Sequence, residues 1–211
     1  SPTSLQELDL SNCWTVAEDG TKLTHANLSN LLHHAGCLRE LDISRMVLHD
    51  DSVTALAELI ASRNCGLQNL NVSNCGMTKV AGSALGTALG SNGSLMILKL
   101  VGNSEIGIGG ARTYIQSLRK HTQLRVLFLP TNLQFMYYDR IAYYLSLNVA
   151  GRELLSQDLP PGLWAEVLGR CQRIVPSWSK AGDKYYCRKE DLVYHFLRSS
   201  PHIVGACAVG T

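Results

Sequence analysis

The chain has 211 residues, 45% of them apolar and 17% charged, with a formal net charge of +2. That supplies material for a core and argues against wholesale disorder, while the near-balanced charge argues against a nucleic-acid footprint. No apolar run approaches the ~20 residues a membrane-spanning helix needs, and no signal peptide is visible.

In chain order, the first pattern is a nine-residue motif. It begins at Leu5 (LQELDLSNC), Leu38 (LRELDISRM), Leu67 (LQNLNVSNC), Leu95 (LMILKLVGN) and Leu124 (LRVLFLPTN). The starts are 33, 29, 28 and 29 residues apart, and a period of this size predicts a stacked repeat array. The chain starts inside a repeat without an initiator Met, as a processed or excised piece would. Motif positions 1, 4 and 6 are aliphatic. Positions 4 and 6 alternate with positions 3, 5 and 7, which predicts one short strand per copy with its Leu residues facing inward. Position 9 (Cys13, Met46, Cys75, Asn103, Asn132) turns the chain away. An Asn there bonds the free backbone of its turn, whereas Cys or Met fills space.

The second half of each copy switches to helical spacing. Val53, Leu56, Leu59 and Ile60 mark one helix, with Asp50 and Asp51 as cap candidates. Thr78 is the cap candidate of the next, which carries Leu85 and Leu89 four apart. Tyr114, Ile115 and Leu118 mark the fourth, with Lys120 and His121 in its last turn, where positive charge is favourable. His33 and His34 read as solvated residues near an earlier helix end. Strand-then-helix units of this length stack with parallel strands on one face and helices on the other.

These motifs resemble leucine-rich repeats of the long, ribonuclease-inhibitor-like type, over roughly residues 5–147. IGIGGARTYIQSL (Ile106 to Leu118, with Gly110) and MTKVAGSALGTAL (Met77 to Leu89, with Gly82) resemble that family's turn-into-helix segment. The resemblance implies a curved α/β solenoid with a concave parallel sheet and convex helices. It also implies a binding scaffold that holds other proteins on its concave face or rims, with no catalytic residue or cofactor to carry over. The first copy is longer than the others, which places a bulge at Trp14 to Lys22 and puts Trp14 on a rim.

Outward strand positions list the expected partner-binding face. Glu7 and Asp9 come from the first strand, Glu40 and Asp42 from the second, and Asn69 and Asn71 from the third. Ile97, Lys99 and Val101 follow from the fourth, with Val126 and Phe128 from the fifth. The face grades from four carboxylates through amides to an apolar patch. Adjacent strands lie ~5 Å apart, so Glu7 should neighbour Glu40, and Asp9 should neighbour Asp42. The apolar end calls for cover, by the carboxyl-terminal segment or by a partner.

After Asn132 the repeat dissolves. Phe135 to Leu147 reads as the fifth copy's helix, covered on more than one side. We divide the chain into a repeat domain at 1–151 and an aromatic helical cap or docking segment at 152–211. Two helices are expected there, Leu163 to Gln172 after a Pro pair and Glu190 to Ser199 before Pro201. Residues 174–186 read as a loop. Trp164, Trp178 and Phe196 are expected in a satellite core with the clustered Tyr residues. LPPGLWAEVL (Leu159 to Leu168) resembles the opening of an F-box. The ending as a whole resembles that of leucine-rich repeat proteins of diatoms and related algae.

Other motifs have ordinary readings. Gly107 to Gly110 before a helix suggests a phosphate cradle but fits the strand-to-helix turn of the repeat. Gly82, Gly86 and Gly90 recur every four residues, which predicts close helix–helix approach or, as the alternative, a partner contact. The seven Cys are odd in number and form no C-x-x-C framework. Cys13, Cys37, Cys65 and Cys75 recur at equivalent places like small buried hydrophobes. Cys171, Cys187, His195 and Cys207 match no ordinary zinc spacing.

The expected function is a non-enzymatic protein–protein interaction scaffold or accessory subunit of a larger assembly. The expected partner is another protein or a multi-subunit complex, with no nucleic acid, membrane span, cofactor or small-molecule substrate. The alternatives are a substrate receptor in ubiquitination and a metal-dependent hydrolase built on the concave carboxylates. A GTPase-activating role has Arg45 as its one candidate. The thiols suit a reducing intracellular compartment, the cytoplasm first and an organelle second.

Overall fold

The computed structural model describes residues 5–12, 30, 37–157, 159–173 and 188–201, with Asp51 and Pro161 described by backbone only. The expected rim bulge with Trp14, the pair His33 and His34, Cys13, Cys187, Cys207, Trp178 and the 174–186 loop lie outside them. The chain divides into two compact units, 1–137 and 138–211.

Each motif of the first unit yields a three-residue strand at positions 3 to 5. They are β1 (Glu7–Asp9), β2 (Glu40–Asp42), β3 (Asn69–Asn71), β4 (Ile97–Lys99) and β5 (Val126–Phe128). The five form one parallel sheet in the order β1-β2-β3-β4-β5. Identical motif positions pair despite the unequal repeat lengths, with Leu8, Leu41, Leu70, Leu98 and Leu127 side by side. From β2 to β5 these Leu residues are at most 2% exposed, so position 4 builds the core. The first copy differs: Leu8 and Leu10 are half-buried and Leu5 is 62% exposed, as befits the edge strand of the sheet.

The chain leaves the first four strands through a left-handed residue at position 8. Asn12, Arg45, Asn74 and Gly102 all have positive φ, between 57° and 79°. Asn and Gly adopt that conformation readily, and Arg does so only when its surroundings hold it there. Position 9 then behaves as its chemistry dictates. Asn103 is buried and accepts from the N–H groups of Cys75 (2.9 Å) and Met77 (3.2 Å). It donates to the carbonyls of Val72 (2.8 Å) and Leu100 (3.0 Å). Met46 and Cys75 are buried and fill space.

The helices follow as α1 (Asp50–Ala61), α2 (Lys79–Leu89) and α3 (Gly107–Leu118), the last preceded by a 3-10 turn over Ser104–Ile106. Thr78 caps α2 as expected, its Oγ1 accepting from Ala81 N–H at 3.3 Å. Asp50 does not cap α1. His49 holds the cap position, and Asp50 Oδ1 instead accepts from the Thr78 hydroxyl at 2.7 Å. The glycine stripe of α2 faces α3, which rules against a partner contact there. A Cβ on Gly82 would lie 2.9 Å from Ile106 side-chain atoms, and one on Gly90 3.0 Å from Ser117 Oγ.

Two cysteines depart from expectation. Cys37 is exposed and Cys65 half-buried, because both precede the strand where the chain still runs over the surface. Lys120 and His121 fall beyond α3 instead of in its last turn, and His121 is 2% exposed. Its Nδ1 accepts from Leu124 N–H at 3.0 Å, so the ring serves as an acceptor that shapes the turn into β5.

The fifth copy ends differently from the others. Pro130 stands before a short helix, α4 (Thr131–Met136), and Leu129 N–H donates to Gln134 Oε1 at 2.8 Å. Asn132 therefore lies exposed in a helix instead of bonding a turn. The expected helix from Phe135 to Leu147 is interrupted at Tyr137 (φ −111°, ψ 13°).

The second unit begins with α5 (Tyr138–Ala150), a 3-10 turn over Arg152–Ser156, α6 (Pro161–Arg173) and α7 (Lys189–Ser199). Buried residues ring α5 on every side, from Ile141 to Ala150. Leu147, Ala150, Trp164, Val167, Cys171, Leu192 and Phe196 form a core of their own, with Tyr143 and Tyr144 packed against it, so both expected helices are present, and of the expected aromatic cluster Trp164 and Phe196 come together, while Tyr194 is exposed. Trp164 and Phe196 pack with ring centroids 6.3 Å apart.

Candidate functional site

The outward positions of the sheet follow from strand alternation plus register. One row runs Glu7, Glu40, Asn69, Ile97 and Val126, and the next Asp9, Asp42, Asn71, Lys99 and Phe128. From Glu7 and Asp9 through to Ile97 and Lys99, these side chains line a groove of about 310 Å³ that Leu8, Leu41 and Leu70 also line. Val126, Phe128 and the 40%-exposed Val101 lie beyond it on the same unit.

The carboxylates of the second strand are held in place by neutral amide donors from the third. Asn69 Nδ2 donates to Glu40 Oε1 at 2.6 Å, and Asn71 Nδ2 to Asp42 Oδ2 at 2.8 Å. The position-5 side chains of the first three copies also accept from the N–H two residues on: Ser11 to Asp9 (2.8 Å), Ser44 to Asp42 (2.9 Å) and Ser73 to Asn71 (3.2 Å). The Ser11 hydroxyl and N–H together hold the Asp9 carboxyl below the usual range for an aspartate. No Lys or Arg among the described residues forms an ion pair with Glu7, Asp9, Glu40 or Asp42. The face thus presents four carboxylates on two adjacent strands, with Lys99 two strands further on.

Reading single motifs did not reveal this amide ladder. The signal was available, since Asn stands at positions 3 and 5 of the third copy where the second has Glu and Asp.

Comparison with known proteins agrees with the architecture. Over 159 residues, 72% of the chain, it is 30% identical to human NACHT, LRR and PYD domains-containing protein 13. It is 33% identical over 119 residues, 56% of the chain, to pig ribonuclease inhibitor. The array belongs to the ribonuclease-inhibitor-like leucine-rich repeats. A third relative, bovine NACHT, LRR and PYD domains-containing protein 9, is 35% identical over 100 residues, 47% of the chain. No family model matches the chain. The chain spans 15% of the first of these relatives, 25% of the inhibitor and 10% of the third.

The leucine-rich repeat frame also places the remaining candidates. Gly107 (φ 61°) is the residue that turns the chain into α3, and a Cβ on Gly109 would lie 2.6 Å from Lys79 Cε. Arg45 is exposed in its left-handed turn, with Nη1 3.5 Å from Asn12 Oδ1. Cys171 is buried, its thiol 3.6 Å from the Val167 carbonyl, and His195 Nδ1 lies 3.1 Å from Tyr143 Oη. Among the described residues no group of three His, Cys, Asp or Glu is placed to hold a metal ion, and no helix is long and apolar enough to cross a membrane.

Proposed function

We propose that the chain is a non-enzymatic interaction module that holds another protein against the outward face of its sheet, as a scaffold or accessory subunit of a larger assembly. One observation carries this reading. The strands set charged, amide and apolar side chains in register along one groove, and the four carboxylates have no ion-pair partner among the described residues. Pig ribonuclease inhibitor is by its name a protein that acts on another protein, which supports the same reading here.

The hydrolase alternative fits less well. A general acid needs a pKa raised toward the working pH, and Asp9 moves the opposite way. Glu40 and Asp42 already give oxygens to neighbouring amides. The ubiquitination alternative needs an exposed docking face on α6. That helix turns Trp164, Val167 and Cys171 into its own core and leaves Leu163, 48% exposed, outside it.

A photo-crosslinking side chain at Asn71 or Lys99, expressed in the native source, tests the proposal. The expected result is one stoichiometric protein partner captured from the sheet face and none from Glu58, an exposed residue of α1. Capture from Glu58 alone, or no capture from the sheet face, would overturn it.

A further inference from the structure

Like charges set directly opposite each other on neighbouring strands weaken a sheet. This sheet does that twice, with Glu7 beside Glu40 and Asp9 beside Asp42. Its own cation on that face, Lys99, is paired in register with Asn71, not with an acid. Strands lie ~4.8 Å apart, which puts Lys99 about 10 Å from the Asp42 strand. Across the strands, the position-5 row therefore reads acidic, acidic, amide, basic, apolar. Local rules broken in this way tend to mark working surfaces.

The row has the dimensions of an extended chain laid across the strands. From midway between β1 and β2 to β4 is two and a half strand spacings, about 12 Å. An extended chain rises ~3.3 Å per residue, so that distance is about four residues, and residues i and i+4 share a face. One strand further, Phe128 lies about 17 Å along, about five residues, where an extended chain turns its side chain away from the sheet.

We propose that the partner lies across the strands as an extended segment. It sets a basic side chain over the β1–β2 carboxylates and an acidic side chain four residues on over Lys99. This rests on the reading that the sheet face binds a protein, and it adds the partner's chemistry and direction.

The test is selection of a displayed library of random twelve-residue peptides on the intact chain. The expected result is enrichment of a basic residue with an acidic residue four later. Binding of the selected peptide, measured by fluorescence anisotropy, is expected to weaken about tenfold in Asp42→Asn and in Lys99→Glu. It is expected to fall steeply with added salt and to be lost in Asn71→Trp, which fills the middle of the groove.

Peptides that bind, are lost in Asn71→Trp, and ignore both charge variants would overturn the proposed chemistry and leave the face reading standing. Peptides unaffected by Asn71→Trp bind elsewhere, and both readings fail. No enriched pattern overturns the proposal. So does spermidine raising the melting temperature equally in the native chain and in Lys99→Glu, since that marks a small polycation site. Lys99 is exposed, so Lys99→Glu keeps the test valid should Asn71→Trp not fold.

Discussion

Ser117 Oγ donates a 2.6 Å hydrogen bond to the carbonyl of Gly86, so α3 rests directly on the backbone of α2. A Cβ on residue 86 would collide with Thr113 Oγ1, and would sit 3.0 Å from Thr113 Cβ and 3.2 Å from Tyr114 N. Gly86→Ala is expected to destabilise the chain by about 1–3 kcal/mol, despite the ~1 kcal/mol that Ala gains over Gly in a helix. Gly93→Ala, where nothing lies within 4 Å, should be near neutral. Urea midpoints of the two variants check this, and equal midpoints would mean that the helices move apart freely.

Asn103 satisfies two buried N–H groups and two carbonyls from two successive turns. Asn103→Ala strands the N–H groups of Cys75 and Met77 in the core. A buried unsatisfied donor costs about 1–3 kcal/mol, so a loss of roughly 3 kcal/mol is expected from denaturant unfolding. A loss under ~0.5 kcal/mol, the range of an ordinary surface change, would show that water replaces the side chain at no cost.

Cysteine reactivity should sort by burial. The thiolate is the reactive form, and burial pushes the Cys75 thiol up to about 11. Cys171 is raised for the same reason, whereas Cys37 is exposed. Brief iodoacetamide treatment of the native chain at neutral pH is expected to label Cys37 and spare Cys75 and Cys171, read by peptide mass spectrometry. Early labelling of Cys75 would mean that the third turn opens.

The second unit should lose stability on mild acidification. His195 on α7 is held below its ordinary value first by burial and then by the Arg152 guanidinium. The unfolded chain therefore takes up a proton at about 6.5 while the folded one resists. The His195 contribution is fully present above about pH 6.5 and is lost as pH falls from there toward the lower folded value. Thermal melts at pH 7.5 and 5.5 should differ more in the native chain than in His195→Gln. Equal pH slopes in both would remove His195 as the cause.

The face was legible as a list and in its neighbours. Positions 3, 5 and 7 point outward because strand alternation is local stereochemistry, and Glu7 meets Glu40 because both stand at position 3 of the stacked motif. The bonds on that face were not legible. Whether Glu40 turns toward Asn69 or toward solvent depends on rotamers chosen among several neighbours at once. The break at Tyr137 was hidden for a related reason. Pro130 and the Leu129–Gln134 bond start a helix early, and no periodicity in the surrounding apolar residues reports that.

The amino-acid sequence by itself determined the repeat, the parallel sheet, the two helices α6 and α7, and which side chains share a face. Those follow from periods of two and of three to four residues, set by backbone geometry within each segment. Only the tertiary structure decided that His121 is buried, that Cys37 is not, and that the α2 glycines meet α3. Those depend on how closely segments some thirty residues apart approach each other, and that distance is fixed by the packing of both partners together.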